Sequence, residues 1–335
     1  MDSLVIGAPN AIALELVDRL LAYGDNVRVL VQPGRDDQSA LLERLARTRA
    51  ETRLLPLTDS AGLADAADGV DILYYAEWRY QDWGAQTVAV ETATRGLRNV
   101  LAAATRNKVG RFCYLSTSEV YGFPGVPVRE SELLAPPGLP YADDRAEAEI
   151  AVWQHGRRVQ LPITIIRPGT IYGPRIVPFV ADVVERLAAR NVVLVDDGRH
   201  IAGLTYVGNL AEGMLQAGRA PEAVNQAYNI SDGSNVTWAQ YYSALAALAE
   251  LPAPVTSYSR ARAMFMVSYW ERTYALRGRT DRPPLTRLAA EMQGVDQIYP
   301  TDKARRDFGY RPAIAFPEGL RNTGQWLREA KLVAG

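Results

Sequence analysis

Hydrophobic positions at the start of the chain predict a strand, a helix and a second strand. Residues 4–6 form a short apolar run that stops at Gly7. Apolar residues then recur at roughly helical spacing over 14–21, and Gly24 stands where a glycine is expected just past a helix C-terminus. A second apolar run covers residues 27–31. The pattern predicts a βαβ unit, which aims the N-terminus of its helix at a bound phosphate.

The same alternation continues beyond this unit. Further strands are predicted at 51–57, 69–76, 109–116 and 161–168. Helices are predicted at 38–50, 60–67 and 85–107. A helix that carries Tyr141 continues over 146–159, and a helix over 176–190 follows. Strands that alternate with helices at this spacing indicate a parallel sheet covered on both faces.

Composition narrows the class of protein. The chain has 335 residues, and its 37 basic side chains nearly balance its 38 acidic ones, so no net field favours nucleic acid. Cys113 is the single cysteine and cannot form an internal disulfide. No apolar run reaches membrane length, and no signal-peptide pattern opens the chain. The two histidines have no ligand-like companions, so no metal site is expected. We therefore expect a cytoplasmic protein with no membrane span.

Several separate motifs extend over nearly the whole chain. They lie at 69–71, 96–104, 116–122, 167–174, 205–210, 228–233, 284–288 and 303–312. In this order they resemble the extended short-chain dehydrogenase/reductase superfamily of the NAD-dependent epimerase/dehydratase type, nearest its dihydroflavonol reductase and 3β-hydroxysteroid dehydrogenase-like branch. The resemblance implies a Rossmann-type, doubly wound α/β sheet over 1–174, with a return segment near 204–232. It also implies a smaller substrate-binding lobe over 175–335, and a homodimer would suit the family.

The phosphate-binding loop departs from the family pattern. Its three glycine positions fall here on Gly7, Asn10 and Ala13. Asparagine is the residue other than glycine best able to adopt a positive φ, so we expect the turn to survive while the cleft narrows. Gly7, Asn10, Ala11 and Ile12 are the candidate pyrophosphate-binding residues.

The end of the second strand bears on the choice of cofactor. Gln32 is neutral and Arg35 follows it, and an arginine here accommodates a 2′-phosphate, so the sequence favours NADP over NAD. By resemblance, Ala76, Pro168 and Thr170 also border the cofactor.

The catalytic group of the family is a hydroxyl residue, a tyrosine and a lysine four residues after the tyrosine. By resemblance these positions are Thr117, Tyr141 and Arg145. Helical spacing places Tyr141 and Arg145 on one face, so a positive charge still lies near the phenol. A guanidinium does not deprotonate, and it therefore cannot pass protons as a lysine can.

We therefore expect an NAD(P)-dependent oxidoreductase acting on a ketone or secondary alcohol of a hydrophobic small molecule, such as a steroid-like or secondary metabolite. The altered loop and the arginine leave an alternative. In it cofactor binding is weakened or lost, and the chain is a non-redox isomerase, cyclase or dehydratase, or a ligand-binding protein on the same fold.

Overall fold

The computed structural model describes residues 1–33, 39–84 and 87–333, with residue 40 and residues 87–93 described by their backbone alone. Its strands in chain order are β1 (Asp2–Ala8), β2 (Asn26–Val31), β3 (Glu51–Leu54), β4 (Ile72–Tyr75), β5 (Arg111–Leu115), β6 (Ile163–Pro168), β7 (Thr170–Tyr172), β8 (Val193–Val195), β9 (Leu204–Tyr206), β10 (Gln226–Ile230) and β11 (Thr256–Tyr258).

The helices fall between and after these strands. They are α1 (Ala11–Tyr23), α2 (Ser39–Ala46), α3 (Ser60–Ala66), α4 (Thr87–Arg106), α5 (Pro140–Val159), α6 (Asp182–Ala188), α7 (Val207–Arg219), α8 (Trp238–Leu248), α9 (Arg260–Leu276), α10 (Arg287–Gln293), α11 (Asp302–Phe308) and α12 (Phe316–Glu329).

A sheet of seven strands, all parallel, forms the centre of the molecule in the order β10-β6-β5-β4-β1-β2-β3. The strand order reverses direction between β1 and β4, and the carboxyl ends of strands at such a switch point form the crevice in which α/β proteins bind ligands. The Rossmann-type fold class predicted from the sequence is confirmed.

Successive residues of the central strands point to opposite sides of the sheet, as the strand repeat requires. On one side Val5 and Tyr74 pack with α1 and its neighbours in the larger core cluster. On the other side Leu4, Ile6 and Phe112 pack in a second cluster that includes α3 and α4. Burial on both faces explains why these strands are apolar almost throughout.

The end of β1 approaches the end of β4 very closely. Gly7 has a φ of 125°, and a Cβ built there would lie 2.5 Å from the backbone carbonyl of Ala76. Only glycine combines this φ with that approach, so Gly7 fixes the start of the loop that leads into α1.

The C-terminal part adds two small parallel strand pairs, β7 with β9 and β8 with β11, and helices α8 to α12. The single helix predicted over 176–190 is instead a π-helical turn, Val177–Ala181, followed by α6. The third strand ends at Leu54 rather than at residue 57. None of the helices that the structure describes is both long and apolar enough to cross a membrane.

Candidate active site

Asn10 closes the loop between β1 and α1, but not in the way predicted. Its φ is −137°, which is extended backbone, so the expected positive φ is wrong. The side chain acts instead as the N-cap of α1, because its Oδ1 accepts a hydrogen bond from the Ala13 amide at 2.9 Å. Its Nδ2 donates to the carbonyl oxygens of Gly7 at 2.6 Å and Ala76 at 2.9 Å. The asparagine therefore ties together the ends of β1 and β4.

Two backbone amides at the start of α1 remain available. The Asn10 side chain takes the Ala13 amide, and the Asn10 carbonyl accepts from the Leu14 amide at 3.1 Å. The amides of Ala11 and Ile12 precede the first intrahelical bond, and no acceptor is described for either of them. They form the N–H pair to which a pyrophosphate can bind.

The end of β2 is joined to the segment after β4. Gln32 Nε2 donates to the Glu77 carboxylate at 3.0 Å, and Arg79 forms an ion pair with the same carboxylate at 3.1 Å. Glu77 is 7% exposed, so a carboxylate lies beside the predicted dinucleotide site. Arg35, the other residue of the NADP prediction, lies outside the described residues.

Tyr141 lies in the first turn of α5 and is enclosed by aromatic side chains. Its phenol oxygen accepts a hydrogen bond from the Trp78 indole, and the Tyr80 ring packs edge-on against it at a centroid distance of 5.0 Å. Burial and the nearby Glu119 carboxyl raise the pKa of Tyr141 well above its usual value, while Arg145 and the Trp78 hydrogen bond act in the opposite direction. The phenol therefore remains protonated at neutral pH, as a proton donor to a ketone oxygen must be.

Arg145 lies one turn after Tyr141 on α5, as predicted, but it does not donate its hydrogen bond to the phenol. One guanidinium nitrogen donates to the Leu115 carbonyl at the end of β5. The group also lies 5.4 Å from the centre of the Tyr114 ring. Arg145 therefore acts on the phenol through its charge.

Glu119 is a buried carboxyl at the centre of this cluster that sequence reasoning did not select. It lies in the 3₁₀ turn Ser118–Tyr121 directly after Thr117, and the two side chains are 5% and 4% exposed. Its Oε2 has no hydrogen-bond partner among the described residues. Burial raises the pKa of Glu119 to about 7, although the Arg145 charge lowers it.

A buried polar network fixes α5 against the sheet. Arg167 on β6 forms an ion pair with Glu149 on α5, and its Nη1 donates to the Tyr121 hydroxyl at 2.6 Å. Ser116 Oγ donates to the Glu149 carboxylate at 2.6 Å. Because Glu149 and Tyr141 share one helix, these contacts fix the position of the phenol relative to Thr117.

A cavity of about 430 Å³ opens beside Tyr141. Its walls come from the segment 81–84, the start of α5 and the C-terminal helices, and they include Trp83, Pro140, Arg287 and Leu288. The Trp83 ring also packs edge-on against Tyr274 at 5.7 Å. A largely hydrophobic molecule with a polar group can therefore reach the phenol from this side.

The structure brings together most of the residues predicted from the sequence. Arg145 and Glu119 both act on Tyr141, and Thr117 directly precedes the turn that holds Glu119. Gly7, Asn10 and Ala76 are joined by hydrogen bonds, and Ala11 and Ile12 begin α1 next to Asn10. Pro168 and Thr170 end β6 and begin β7. Sequence reasoning missed the site contacts of Glu77, Trp78, Tyr80 and Glu119. Their only signal was position, directly after β4 or inside the 116–122 motif. Among the described residues, no group of acidic, histidine or cysteine side chains is arranged to hold a metal ion.

Comparison with known proteins shows which family the chain resembles. Residues 3–231 match the model of the NAD dependent epimerase/dehydratase family. The chain is 30% identical over 277 residues to 2-alkyl-3-oxoalkanoate reductase of Stenotrophomonas maltophilia, which covers 79% of this chain and 83% of that protein. It is 28% identical over 328 residues to the 4-hydroxy-2-methyl-3-oxo-4-farnesyl-3,4-dihydroquinoline-1-oxide ketoreductase of Stigmatella aurantiaca, covering 96% and 95% of the two chains.

A solved structure supports the fold. The UDP-glucuronic acid 4-epimerase of Bacillus cereus, in complex with UDP-glucuronic acid and NAD, superposes with a TM-score of 0.79 at 19% identity, over 98% of this chain and all of that one. The family resemblance read from the motifs is therefore confirmed, and this chain belongs to the NAD-dependent epimerase/dehydratase family.

Proposed function

We propose that the chain is an NAD(P)-dependent oxidoreductase that reduces a ketone of a hydrophobic small molecule, or oxidises the corresponding secondary alcohol. The observation that carries this proposal is a protonated, buried Tyr141 beside an open cavity. Two relatives named as a reductase of an oxoalkanoate and a ketoreductase of a farnesylated quinoline support the same reaction.

The residues of the loop fit a dinucleotide. The free Ala11 and Ile12 amides and the close packing of Gly7 on Ala76 suit a pyrophosphate. Pro168 and Thr170 are proposed to border the nicotinamide end. When bound, the cofactor supplies or accepts a hydride. The sequence favours NADP, and the Glu77 carboxylate beside Gln32 is the described feature that acts against a 2′-phosphate.

In the proposed reduction, the Thr117 hydroxyl donates a hydrogen bond to the ketone oxygen and orients it. The Tyr141 phenol gives its proton to the same oxygen, and a bound nicotinamide would supply the hydride to the neighbouring carbon. Arg145 stabilises the phenolate that remains but has no proton to give at neutral pH. The Glu119 carboxyl, whose pKa is raised to about 7, is the nearby group that can hold the proton needed to restore the phenol.

Substrate access requires a rearrangement at the phenol. The Tyr141 oxygen is engaged by Trp78, and Tyr80 covers the ring. We infer that Trp78 releases the phenol when the site is loaded. The lobe formed by residues 175–335 is proposed to supply the remaining substrate contacts.

The proposal is tested by following nicotinamide absorbance with a 2-alkyl-3-oxoalkanoate and with NADH or NADPH. We expect turnover with at least one cofactor and a loss of about 100-fold or more in both Tyr141→Phe and Thr117→Ala, by analogy with other proton donors and oxyanion ligands. Tyr269→Phe changes an exposed phenol on α9 and is the matched control. Turnover that is unchanged in Tyr141→Phe would refute the proposed chemistry.

Proton transfer without net redox is the second candidate, and the buried Glu119 favours it. A carboxyl with a pKa near 7 can both accept and donate a proton at neutral pH. In D₂O, with no added cofactor, this candidate predicts deuterium in recovered substrate or product, and that incorporation disappears in Glu119→Gln. A strict requirement for added cofactor would exclude it.

A further inference from the structure

A second, smaller cavity, of about 80 Å³, borders Tyr80. Tyr80 forms part of its wall and contacts both Tyr141 and Phe179, at centroid distances of 5.0 and 4.6 Å. The rest of the wall comes from Asp82, α6, α8, α10 and residues close to them. None of these groups beyond Tyr80 has a part in the proposed ketone chemistry.

Two deeply buried polar atoms on residues lining this cavity have no hydrogen-bond partner among the described residues. They are the indole Nε1 of Trp238 and the amide Oε1 of Gln293, on side chains that are 1% and 3% exposed. An indole N–H can only donate, so Trp238 requires an acceptor that the described part of the protein does not provide. Buried groups of this kind are normally satisfied, and a bound ligand would satisfy the indole.

The cavity also contains an arginine without a counter-ion. Arg186 Nε donates to the Asp182 backbone carbonyl at 3.2 Å, and its guanidinium donates to the Tyr242 hydroxyl. No ion pair to Arg186 occurs within the described ranges. Burial and the charge of Arg282 lower the pKa of Arg186, but a guanidinium keeps its proton.

The charge of the neighbouring Arg282, in contrast, is neutralised by an ion pair. Its Nε donates to Asp82 Oδ1 at 3.0 Å, and Thr286 donates to the same carboxylate at 2.7 Å. The Asp82 carboxylate is therefore committed to Arg282 and Thr286. Arg186 therefore carries the positive charge in the cavity that has no ion pair among the described residues. The Asp82 and Asp182 carboxylates, which also line the cavity, act on this charge only through space.

We propose that this cavity binds the carboxylate of a small aliphatic acid. The Arg186 guanidinium and the Trp238 indole N–H donate to the carboxylate oxygens. A carboxylate is planar and has two acceptor oxygens, so it can accept from both donors. The hydrocarbon chain packs on Pro178, Phe179 and Met292, which supply apolar wall. The acid is either one end of the ketone substrate or a separate molecule, and the carboxylate chemistry is the same for both.

Calorimetric titration of the full chain with hexanoate, without cofactor, tests the site. Hexanoate is expected to bind at least tenfold more tightly than hexan-1-ol. Arg186→Gln is expected to weaken hexanoate binding at least tenfold, and Trp238→Phe, which keeps an aromatic ring, several-fold. Arg328→Gln removes the same charge from an exposed position on α12 and is expected to change nothing.

Hexanoate that fails to bind, or that binds Arg186→Gln as tightly as the unchanged chain, overturns the proposal. Because the readout is binding without cofactor, it is independent of whether the ketoreductase proposal holds. Steady-state kinetics then separates the two sources. Competition between hexanoate and the ketone identifies the acid end of the substrate, whereas a non-competitive effect identifies a separate acid.

Discussion

The indole N–H of Trp78 donates a hydrogen bond to the phenol oxygen of Tyr141. Trp78 follows β4 by three residues, so this bond joins the predicted cofactor edge of the sheet to the proposed proton donor. The bond stabilises this arrangement of the site, and it occupies the phenol oxygen that a ketone must reach. The following predictions test the consequences of this and related contacts.

Replacing Trp78 with Phe is expected to tighten cofactor binding. Loading the site then no longer requires the loss of a hydrogen bond worth about 1 kcal/mol, which corresponds to roughly fivefold in the dissociation constant. Titration with NADH and NADPH measures the change. Trp83→Phe is the control, since its indole packs on Tyr274 instead. Weaker binding in Trp78→Phe alone would show that Trp78 supports the loaded state.

Glu119→Gln is expected to change how stability depends on pH. The pKa of Glu119 is raised from 4.5 to about 7 in the folded protein, so the folded state holds a proton that the unfolded state releases between these values. Stability therefore falls as pH rises through this window, by at most about 3 kcal/mol, and is flat above it.

Chemical denaturation at pH 5 and pH 8 measures this effect. The glutamine variant is expected to gain stability relative to the unchanged chain at pH 8, with a smaller difference at pH 5. Glu132→Gln, at an exposed position, serves as the control. The same difference at both pH values would show that Glu119 does not titrate in this window.

Breaking the pair of Glu149 and Arg167 is expected to be costly. Glu149→Gln leaves a buried guanidinium without its counter-charge, and such losses amount to about 3–5 kcal/mol. Asp302→Asn breaks exposed ion pairs with Arg129 and Arg305 and is expected to cost less than about 1 kcal/mol. Equal losses of unfolding free energy in the two variants would contradict the role of the buried pair.

Glu77→Gln is expected to move cofactor preference toward NADPH. The change removes a negative charge near the predicted position of the 2′-phosphate while retaining a partner for Gln32. We expect the NADPH to NADH ratio of kcat/KM to rise about tenfold, or roughly 1.4 kcal/mol. Glu43→Gln, exposed on α2, is the control. An unchanged ratio would place the 2′ position away from Glu77.

Arg145→Lys tests the proton route. Lysine restores a group able to exchange a proton with solvent, so we expect ketone reduction to be retained or increased, while Arg145→Met loses about tenfold or more because the phenolate is no longer stabilised. Initial rates with saturating cofactor provide the measurement. A lysine variant as poor as the methionine variant would mean that the guanidinium contact with Leu115 is what matters.

Much of the fold follows from local patterns. The Rossmann sheet was predictable because most of its strands are apolar almost throughout and alternate with helices. The end of α1 at Gly24 was predictable because its cap is local, and Tyr141 and Arg145 were placed on one face of α5 by helical spacing alone. The conformation of Asn10 was not predictable, because its side-chain amide also donates to the carbonyl oxygen of Ala76, which is far along the chain.

The unpredicted part of the site depends on contacts between distant residues. The partner of Trp78 is 63 positions away on α5, and no pattern near residue 78 indicates it. Glu119 lies in a motif that was singled out for its hydroxyl and aromatic residues. Only the folded structure shows that its Oε2 has no hydrogen-bond partner among the described residues. Whether a polar residue is buried depends on how the core packs. In a turn as short as the one that holds Glu119, the sequence has no periodicity that would indicate burial.

The segment after β4 is attached at both of its ends. Trp78 holds it to the phenol, and Asp82 holds it to Arg282 and Thr286 in the C-terminal part. A ligand that displaces Trp78 must therefore also shift the position of Asp82, and the reverse holds too. We accordingly expect the dinucleotide and the substrate to bind in a fixed order. Product-inhibition patterns should accordingly show an obligatory order, with the dinucleotide arriving first and departing last.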